Sequence, residues 1–322
     1  MAPSKVLTVF GATGNHGGSV IATVLSNSKL SSEFKIRGIT RDPSKANAKK
    51  LAQQGVEMVS ADMNDLDTLK SAISGSYAVF AVTNYWETMS KATEVQQGKN
   101  IADLSKAGGV KHLIWSSLPH VAKMTNGELP HVDHFDGKAD VEEYIESIKG
   151  GSDMLASYWM PGFFMSNLKG MIQPDGSTGV PTMAMPWDLE KTQVALLDAA
   201  TDTGKFVAGL LLADPKSVDG FRVHGVSEWN TPKEIVETLS KTSGTKVEFK
   251  EVSGEDYESY LPKPIAEEMK ENMLLVRDWS YFGKGTEKKQ AESNKILGDM
   301  KLTTWEEFVK QNGPWEWKSG GK

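Results

Sequence analysis

The chain has 322 residues, 39% of them hydrophobic and 24% charged, with a formal net charge of −6. This length fits one large domain or a nucleotide-binding domain with a smaller companion, and the acidic balance lacks the basic footprint of direct nucleic-acid binding. Cysteine is absent, which excludes disulfides, thiolate metal ligands and cysteine nucleophiles.

Residues 6–10 (VLTVF) form a short apolar run of strand formers, the pattern of a strand buried on both faces. Gly11, Gly14 and Gly17 follow at intervals of three, and residues 19–25 read as the first turns of a helix. The patterns then alternate. Strand 34–40 leads to helix 44–54, strand 56–60 to helix 65–73, and strand 77–83 to helix 90–106, stopped by Gly108-Gly109. Strand 110–116, helix 134–149 and strand 153–159 continue the series. This rhythm predicts an α/β fold, a Rossmann-type doubly wound parallel sheet that binds its ligand at the carboxyl ends of the strands.

Beyond Pro161 the rhythm breaks. Residues 161–190 are rich in Gly, Pro and Met and read as irregular, 194–212 carry a helical pattern, and 221–226 read as a strand able to return to the main sheet. Thr231-Pro232-Lys233-Glu234 is a capping box opening a helix to about residue 241, and 246–251 read as a strand. Thr304 and Glu307 form a second capping box before a last helix carrying Trp305 and Phe308. The expected organisation is a Rossmann domain over 1–160 with a returning segment near 194–228. A smaller α+β C-terminal domain follows from 161–193 and 229–317, with a disordered tail over 318–322. No apolar run reaches the roughly 18–20 residues that cross a bilayer, and one lysine precedes the first strand without a secretory pattern. A cytoplasmic location is expected, with the nucleus as a second compartment.

The turn Gly11-Ala12-Thr13-Gly14-Asn15-His16-Gly17 between strand and helix aims backbone N–H groups and the positive end of a helix dipole at one point, which suits a pyrophosphate. Glycine there lets the backbone approach phosphate closely. At the tip of the second strand, where a carboxylate would favour NAD, the chain has Arg41. A guanidinium grips a phosphate with two parallel hydrogen bonds; Lys45 lies four residues on, and Arg37 lies within the strand. These predict NADP(H), with Asp42 the opposing signal. Asp62 and Met63, closing the third strand, stand where the adenine edge passes, and Thr83, Asn84 and Tyr85 follow the fourth strand beside the coenzyme. Tyr85 and Trp86 suit either a nicotinamide pocket wall or packing beneath the second domain.

The fold resembles the extended, atypical short-chain dehydrogenase/reductase superfamily, whose enzymes use a Tyr-x-x-x-Lys pair with a Ser or Thr to pass a proton to the substrate oxygen. Here the matching segment is His134-Phe135-Asp136-Gly137-Lys138: the lysine is present, and histidine stands in place of tyrosine. Lys138 is left to hold the nicotinamide ribose, His134 to act as an acid, and Ser116 or Ser117, with Ser117 preferred, to supply the hydroxyl. Without a phenol the usual relay is broken. His131 and His134 have a His-x-x-His spacing, but no third ligand is evident and no metal is expected. The stretch 158–165, including Phe163, suits either a flat apolar pocket or core at the domain junction.

GATGNHGGSV, TNYWE, HFDGK and the continuation ADVEEYI together resemble the NmrA-like family, most densely over residues 5–170, and more loosely through NTPKEIVETLSKTSGTKV and DYESY. The resemblance implies NADP(H) binding through the glycine loop, Arg41 and Lys138. It also implies regulation more than turnover: a redox sensor acting through a protein partner such as a transcription factor or signalling enzyme, with a homodimer compatible. Some relatives reduce quinones or lignan-type compounds, so an NADPH-dependent reductase of a quinone, enone or aromatic substrate is the alternative.

Overall fold

A computed structural model of the chain describes residues 5–317, so the tail expected over 318–322 lies outside the described residues. Thirteen strands follow in chain order. The first six are β1 (Lys5–Val9), β2 (Phe34–Thr40), β3 (Glu57–Ser60), β4 (Ala78–Ala81), β5 (His112–Ser116) and β6 (Leu155–Pro161). Then come β7 (Phe163–Phe164), β8 (Ile172–Pro174), β9 (Pro181–Met185), β10 (Val194–Leu197), β11 (Arg222–Gly225), β12 (Glu228–Asn230) and β13 (Glu248–Glu251).

Seven of them make one parallel sheet in the order β11-β6-β5-β4-β1-β2-β3. The order reverses between β1 and β4, which opens a crevice at their carboxyl ends. The central strands are buried along their whole length because both faces are covered: every residue of β4 and β5 is buried. Helices Asn15–Ser26 and Ala199–Leu212 cover one face, where Val20, Ile21 and Val24 share a core with Phe206, Val207 and Leu210. Helices Lys91–Ala107 and Asp133–Lys149 cover the other, through Ile101, Ala102, Val141 and Ile145.

Two three-stranded sheets, β12-β10-β7 and β13-β9-β8, build the smaller α+β region with helices Pro232–Ser243, Lys263–Trp279 and Trp305–Gln311. Its core gathers Trp187, Ile235, Met273, Trp305 and Phe308. Both predicted capping boxes form with their two reciprocal bonds, at Thr231/Glu234 and Thr304/Glu307.

The region after Pro161 differs from the sequence reading in three places. Residues 161–190 hold β7, β8 and β9, too short for their alternation to register. Residues 194–197 are strand β10, paired with β7 and β12, not helix; four consecutive buried apolar residues satisfy a strand and a helix alike. Asp198, whose side chain accepts from the Thr201 N–H, caps the helix that follows. Helix Lys263–Trp279 had no counterpart in the sequence reading. The return to the main sheet does occur, through β11 pairing with β6.

Candidate functional site

Among the described residues, a cleft of about 620 Å³ runs over the carboxyl ends of β1, β2, β4 and β5, at the reversal of strand order. Its floor is the turn after β1. Gly11 adopts φ +63°, a left-handed conformation that favours glycine, and Gly14 N donates to Gly11 O at 2.9 Å. A Cβ on Gly17 would lie 2.3 Å from Gly11 O, so the helix starts pressed against the turn. Gly14 is the N-cap and supplies no side-chain cap bond. The N–H groups of the first helical turn are therefore left for something else, and the positive end of the helix dipole faces the cleft. Thr13, Asn15 and His16 stand on this rim. Burial, and then the nearby Lys138 charge, lower the pKa of His16 to about 4. It is neutral, packs edge-on to Phe164 with ring centroids 5.2 Å apart, and leaves Nε2 buried with no partner among the described residues.

Arg41 lines the outer end, with its side chain 68% exposed and paired with both carboxylate oxygens of Glu87 at 3.1 and 2.5 Å. Asp62 and Met63 close the same end, and Asp62 accepts from Asn64 N at 2.8 Å. Two basic residues singled out from the sequence do not reach the cleft. Arg37 turns to Glu57 and to the carbonyls of Ala72 and Ser74, at the carboxyl end of helix Leu66–Ile73, where the dipole attracts a cation. Lys45 is the exposed N-cap of helix Ala46–Gln53 and is not part of the cleft wall.

In the middle of the cleft, Lys138 is 9% exposed and its ammonium meets the carboxylate of Glu94, itself 1% exposed. Thr83 Oγ1 donates to the same carboxylate oxygen at 2.7 Å. Glu94 lies in the first turn of its helix, where the dipole favours its charge. Serine placement follows strand alternation: Ser116 lines the cleft with its Oγ buried and unpartnered among the described residues. Ser117, the preferred choice from sequence, turns the other way and donates to Glu142 at 2.5 Å.

The inner end is closed by helix Lys263–Trp279. Glu268 Oε1 accepts from both the backbone N–H and Nδ1 of His134, at 2.8 and 2.6 Å, and Glu268 Oε2 accepts from the Tyr85 hydroxyl at 2.9 Å. Burial works to raise the Glu268 carboxyl, but these bonds outweigh it and hold it below the usual range. Burial, then the Glu268 bond, push the Tyr85 phenol up. Glu268 holds the proton on Nδ1, and Nδ2 of Asn272 faces Nε2, the acceptor of the neutral ring, at 2.9 Å. Both imidazole nitrogens are thus engaged, and the ring is not free to protonate a ligand. His131 diverges from His134: its Nδ1 meets Glu271 Oε1 at 2.6 Å, with Glu267 at 3.6 Å, so the His-x-x-His pair shares no site. Asn84 and Phe163 line the cleft, as do Trp86, Leu118, Phe135, Met269, Met273 and Tyr281. The sequence reading missed Glu94, although it lay in the TNYWE-to-helix stretch as an acid on a face meant to be buried. It also missed Glu268, Met269, Asn272 and Met273, whose helix had gone unassigned.

Comparison with known proteins places this geometry among others. The model of the NmrA-like family matches residues 3–309. The NmrA-like family domain-containing oxidoreductase lnaB of Aspergillus flavus is 32% identical over 266 residues, covering 78% of this chain and 77% of that one. Among solved structures, the negative transcriptional regulator NmrA in complex with NADP superposes with TM-score 0.78 at 18% identity, covering 96% of this chain and 95% of that one. The triphenylmethane reductase of Citrobacter sp. complexed with NADP(H) gives TM-score 0.73 at 20% identity, over 95% and 99%. At these identities the two structures establish the shared fold.

Proposed function

The chain belongs to the NmrA-like family, and from that premise we propose that it is an NADP(H)-binding oxidoreductase acting on a small apolar or aromatic compound with a conjugated acceptor. One observation carries the reading: the cleft that holds the glycine turn and the buried Lys138 also has an apolar chamber wall of Leu118, Phe135, Met269, Met273 and Tyr281. An apolar wall of this kind fits a small-molecule substrate beside the dinucleotide. The relative lnaB is named an oxidoreductase, and the Citrobacter neighbour a reductase.

The residues present fit the coenzyme. The uncapped helix start at Gly14, with Gly11, Thr13, Asn15, His16 and Gly17, takes the pyrophosphate. Arg41 takes the 2′-phosphate after releasing Glu87, Asp62 and Met63 border the adenine, and Thr83, Asn84, Tyr85 and Phe163 border the nicotinamide end. Lys138 donates to the ribose hydroxyls from its place against Glu94. When bound, the coenzyme supplies or accepts hydride. The protein's own part is to orient the two ligands and exclude water, since His134 is locked between Glu268 and Asn272 and the acceptor must need little proton assistance. Quinones and enones meet that condition. Residues 1–160 with the returning segment form the coenzyme domain in this reading, and the rest closes over the substrate. Following NADPH absorbance against a panel of quinones and enones tests it: turnover near or above about one per second is expected. No turnover with any acceptor, despite tight NADPH binding, would sink the reductase.

The second reading is a redox sensor acting through a protein partner such as a transcription factor or signalling enzyme, in the cytoplasm or nucleus and compatible with a homodimer. What favours it is the tie from Tyr85, in the loop beside the coenzyme, to Glu268 in the C-terminal region: a ligand that moves this loop pulls on the far helix. A sensor must distinguish the two redox forms in affinity or favoured conformation. Isothermal titration with NADP⁺ and NADPH, with the oligomeric state measured in each, should then differ; identical results end this reading.

A further inference from the structure

We propose that the apolar chamber selects a small aromatic ligand bearing a hydroxyl or N–H group, and that the Oδ1 of Asn272 is the acceptor that selects it. The inference rests on the coenzyme reading above, because it seats this ligand beside bound coenzyme.

The argument starts from a carboxylate that can only accept. Glu268 Oε1 stands 2.6 Å from His134 Nδ1, so that nitrogen carries the proton. In the neutral ring Nε2 then accepts, and the group facing it at 2.9 Å, Asn272 Nδ2, donates. The orientation of the Asn272 amide is thereby fixed through two hydrogen bonds by a residue one helical turn away on the same helix. What remains is Oδ1. Asn272 is 5% exposed and lines the cleft, and its Oδ1 is buried with no hydrogen-bond partner among the described residues. Its neighbours on the wall, Met269, Met273, Phe135 and Leu118, provide no donor from their side chains. Buried acceptors in folded proteins are almost always paired, and this one belongs to a residue of the cleft wall, where a ligand can make the missing bond.

The chemistry required of the ligand follows. The walls are apolar and aromatic, with the Tyr281 and Phe135 rings edge-to-face at 5.3 Å. A flat aromatic body fits them, and one donor on its edge meets Oδ1. A methyl group in place of the hydroxyl fills nearly the same space and leaves Oδ1 unpaired. A site built to bond a ligand hydroxyl rejects the analogue that lacks it more strongly than it rejects a change in size. Asn272 is a specificity-determining residue in this scheme. Glu268 and His134 are positioning residues, acting only through the amide they orient.

The test uses the full chain saturated with NADP⁺ and two probes, 2-naphthol and 2-methylnaphthalene, titrated calorimetrically. The wild type is expected to bind 2-naphthol about tenfold more tightly, the size of one net hydrogen bond. Asn272→Leu should erase the preference with NADP⁺ affinity unchanged. Asn272→Asp keeps an acceptor at the same place while losing, as Asn272→Leu does, the donor to His134; it should retain the preference, and so controls for a variant that merely loosens the helix. Equal binding of the two probes by wild type, or a preference that survives Asn272→Leu, overturns the proposal. A loss of NADP⁺ affinity in Asn272→Leu overturns it too, by assigning the oxygen to the coenzyme. Absence of probe binding with NADP⁺ bound overturns the chamber inference and leaves the coenzyme reading standing; absence of NADP⁺ binding removes the coenzyme reading itself.

Discussion

Replacing Glu94 by Gln keeps the side chain's volume and removes its charge. Lys138 then keeps its ammonium at 9% exposure with no counter-charge, and breaking a buried pair from one side costs about 3–5 kcal/mol. Coulomb's law gives the same order, on the order of 4 kcal/mol for unit charges near 4 Å at an effective dielectric of about 20. Lys138→Met strands the opposite charge. That loss should be smaller, because Glu94 sits in the first turn of helix Lys91–Ala107, where the dipole offsets about 0.3–1 kcal/mol, and keeps its bond from Thr83. The double variant removes both charges and should lie within about 1–2 kcal/mol of wild type, since it leaves no uncompensated buried charge. Urea denaturation of the four proteins without coenzyme gives the coupling energy, expected to exceed about 2 kcal/mol. If the two single losses add to the double within about 0.5 kcal/mol, or if Glu94→Gln costs under about 1 kcal/mol, the pair is effectively solvated. The account of Lys138 as a cation held ready inside the cleft would then be wrong.

Other expectations concern the coenzyme turn, the outer rim and pH. Arg41→Ala should weaken NADP⁺ binding by about tenfold or more while leaving NAD⁺ nearly unchanged, as loss of a charge-assisted phosphate contact requires; Glu87→Gln, which frees the guanidinium from its exposed pair, should tighten NADP⁺ by up to about fivefold. Parallel titrations with both nucleotides decide this, and a proportional change for NAD⁺ would count against it. A Cβ at Gly14 has its nearest neighbour at 3.4 Å, ordinary contact, whereas one at Gly17 meets backbone at 2.3 Å. Gly14→Val should therefore stay folded and lose coenzyme, while Gly17→Ala should lose about 1–3 kcal/mol or more of stability and unfold at lower temperature; melting curves with and without NADP⁺ separate the two, and equal melting temperatures would contradict the geometry. His112 is 5% exposed, bonds Ser157 at 2.7 Å, and burial lowers its pKa to about 4. Above pH 6.5 neither the folded nor the unfolded form carries the proton, and its contribution is complete. As pH falls from 6.5 to 4 the unfolded chain takes up a proton that the folded one refuses, and up to about 3 kcal/mol is lost. Denaturation midpoints at pH 7 and 4.5 should converge by that order in His112→Gln, and an unchanged pH slope in the variant would refute the assignment.

The sequence alone determined the architecture of the first half. A parallel strand buried on both faces is mostly apolar, so β1, β4 and β5 announce themselves, and the reading of β2 coincides with its observed limits, 34–40. Capping boxes are read within four residues, and both formed. The glycine turn is equally local, because its spacing encodes a backbone conformation. Only the tertiary structure decided which side chains meet across the cleft. Arg37 and Arg41 are both basic and lie on or beside the same strand, yet one is drawn to a helix end and the other to the rim; Ser116 and Ser117 differ by one step of strand alternation. The polar lock on His134 comes from Glu268 and Asn272, more than 130 residues further along the chain, on a helix whose approach is set by the packing of the C-terminal core. Periodicity records which face of an element is buried; it carries no information about the element that will be laid against that face, and the chemistry of this cleft is made at that junction.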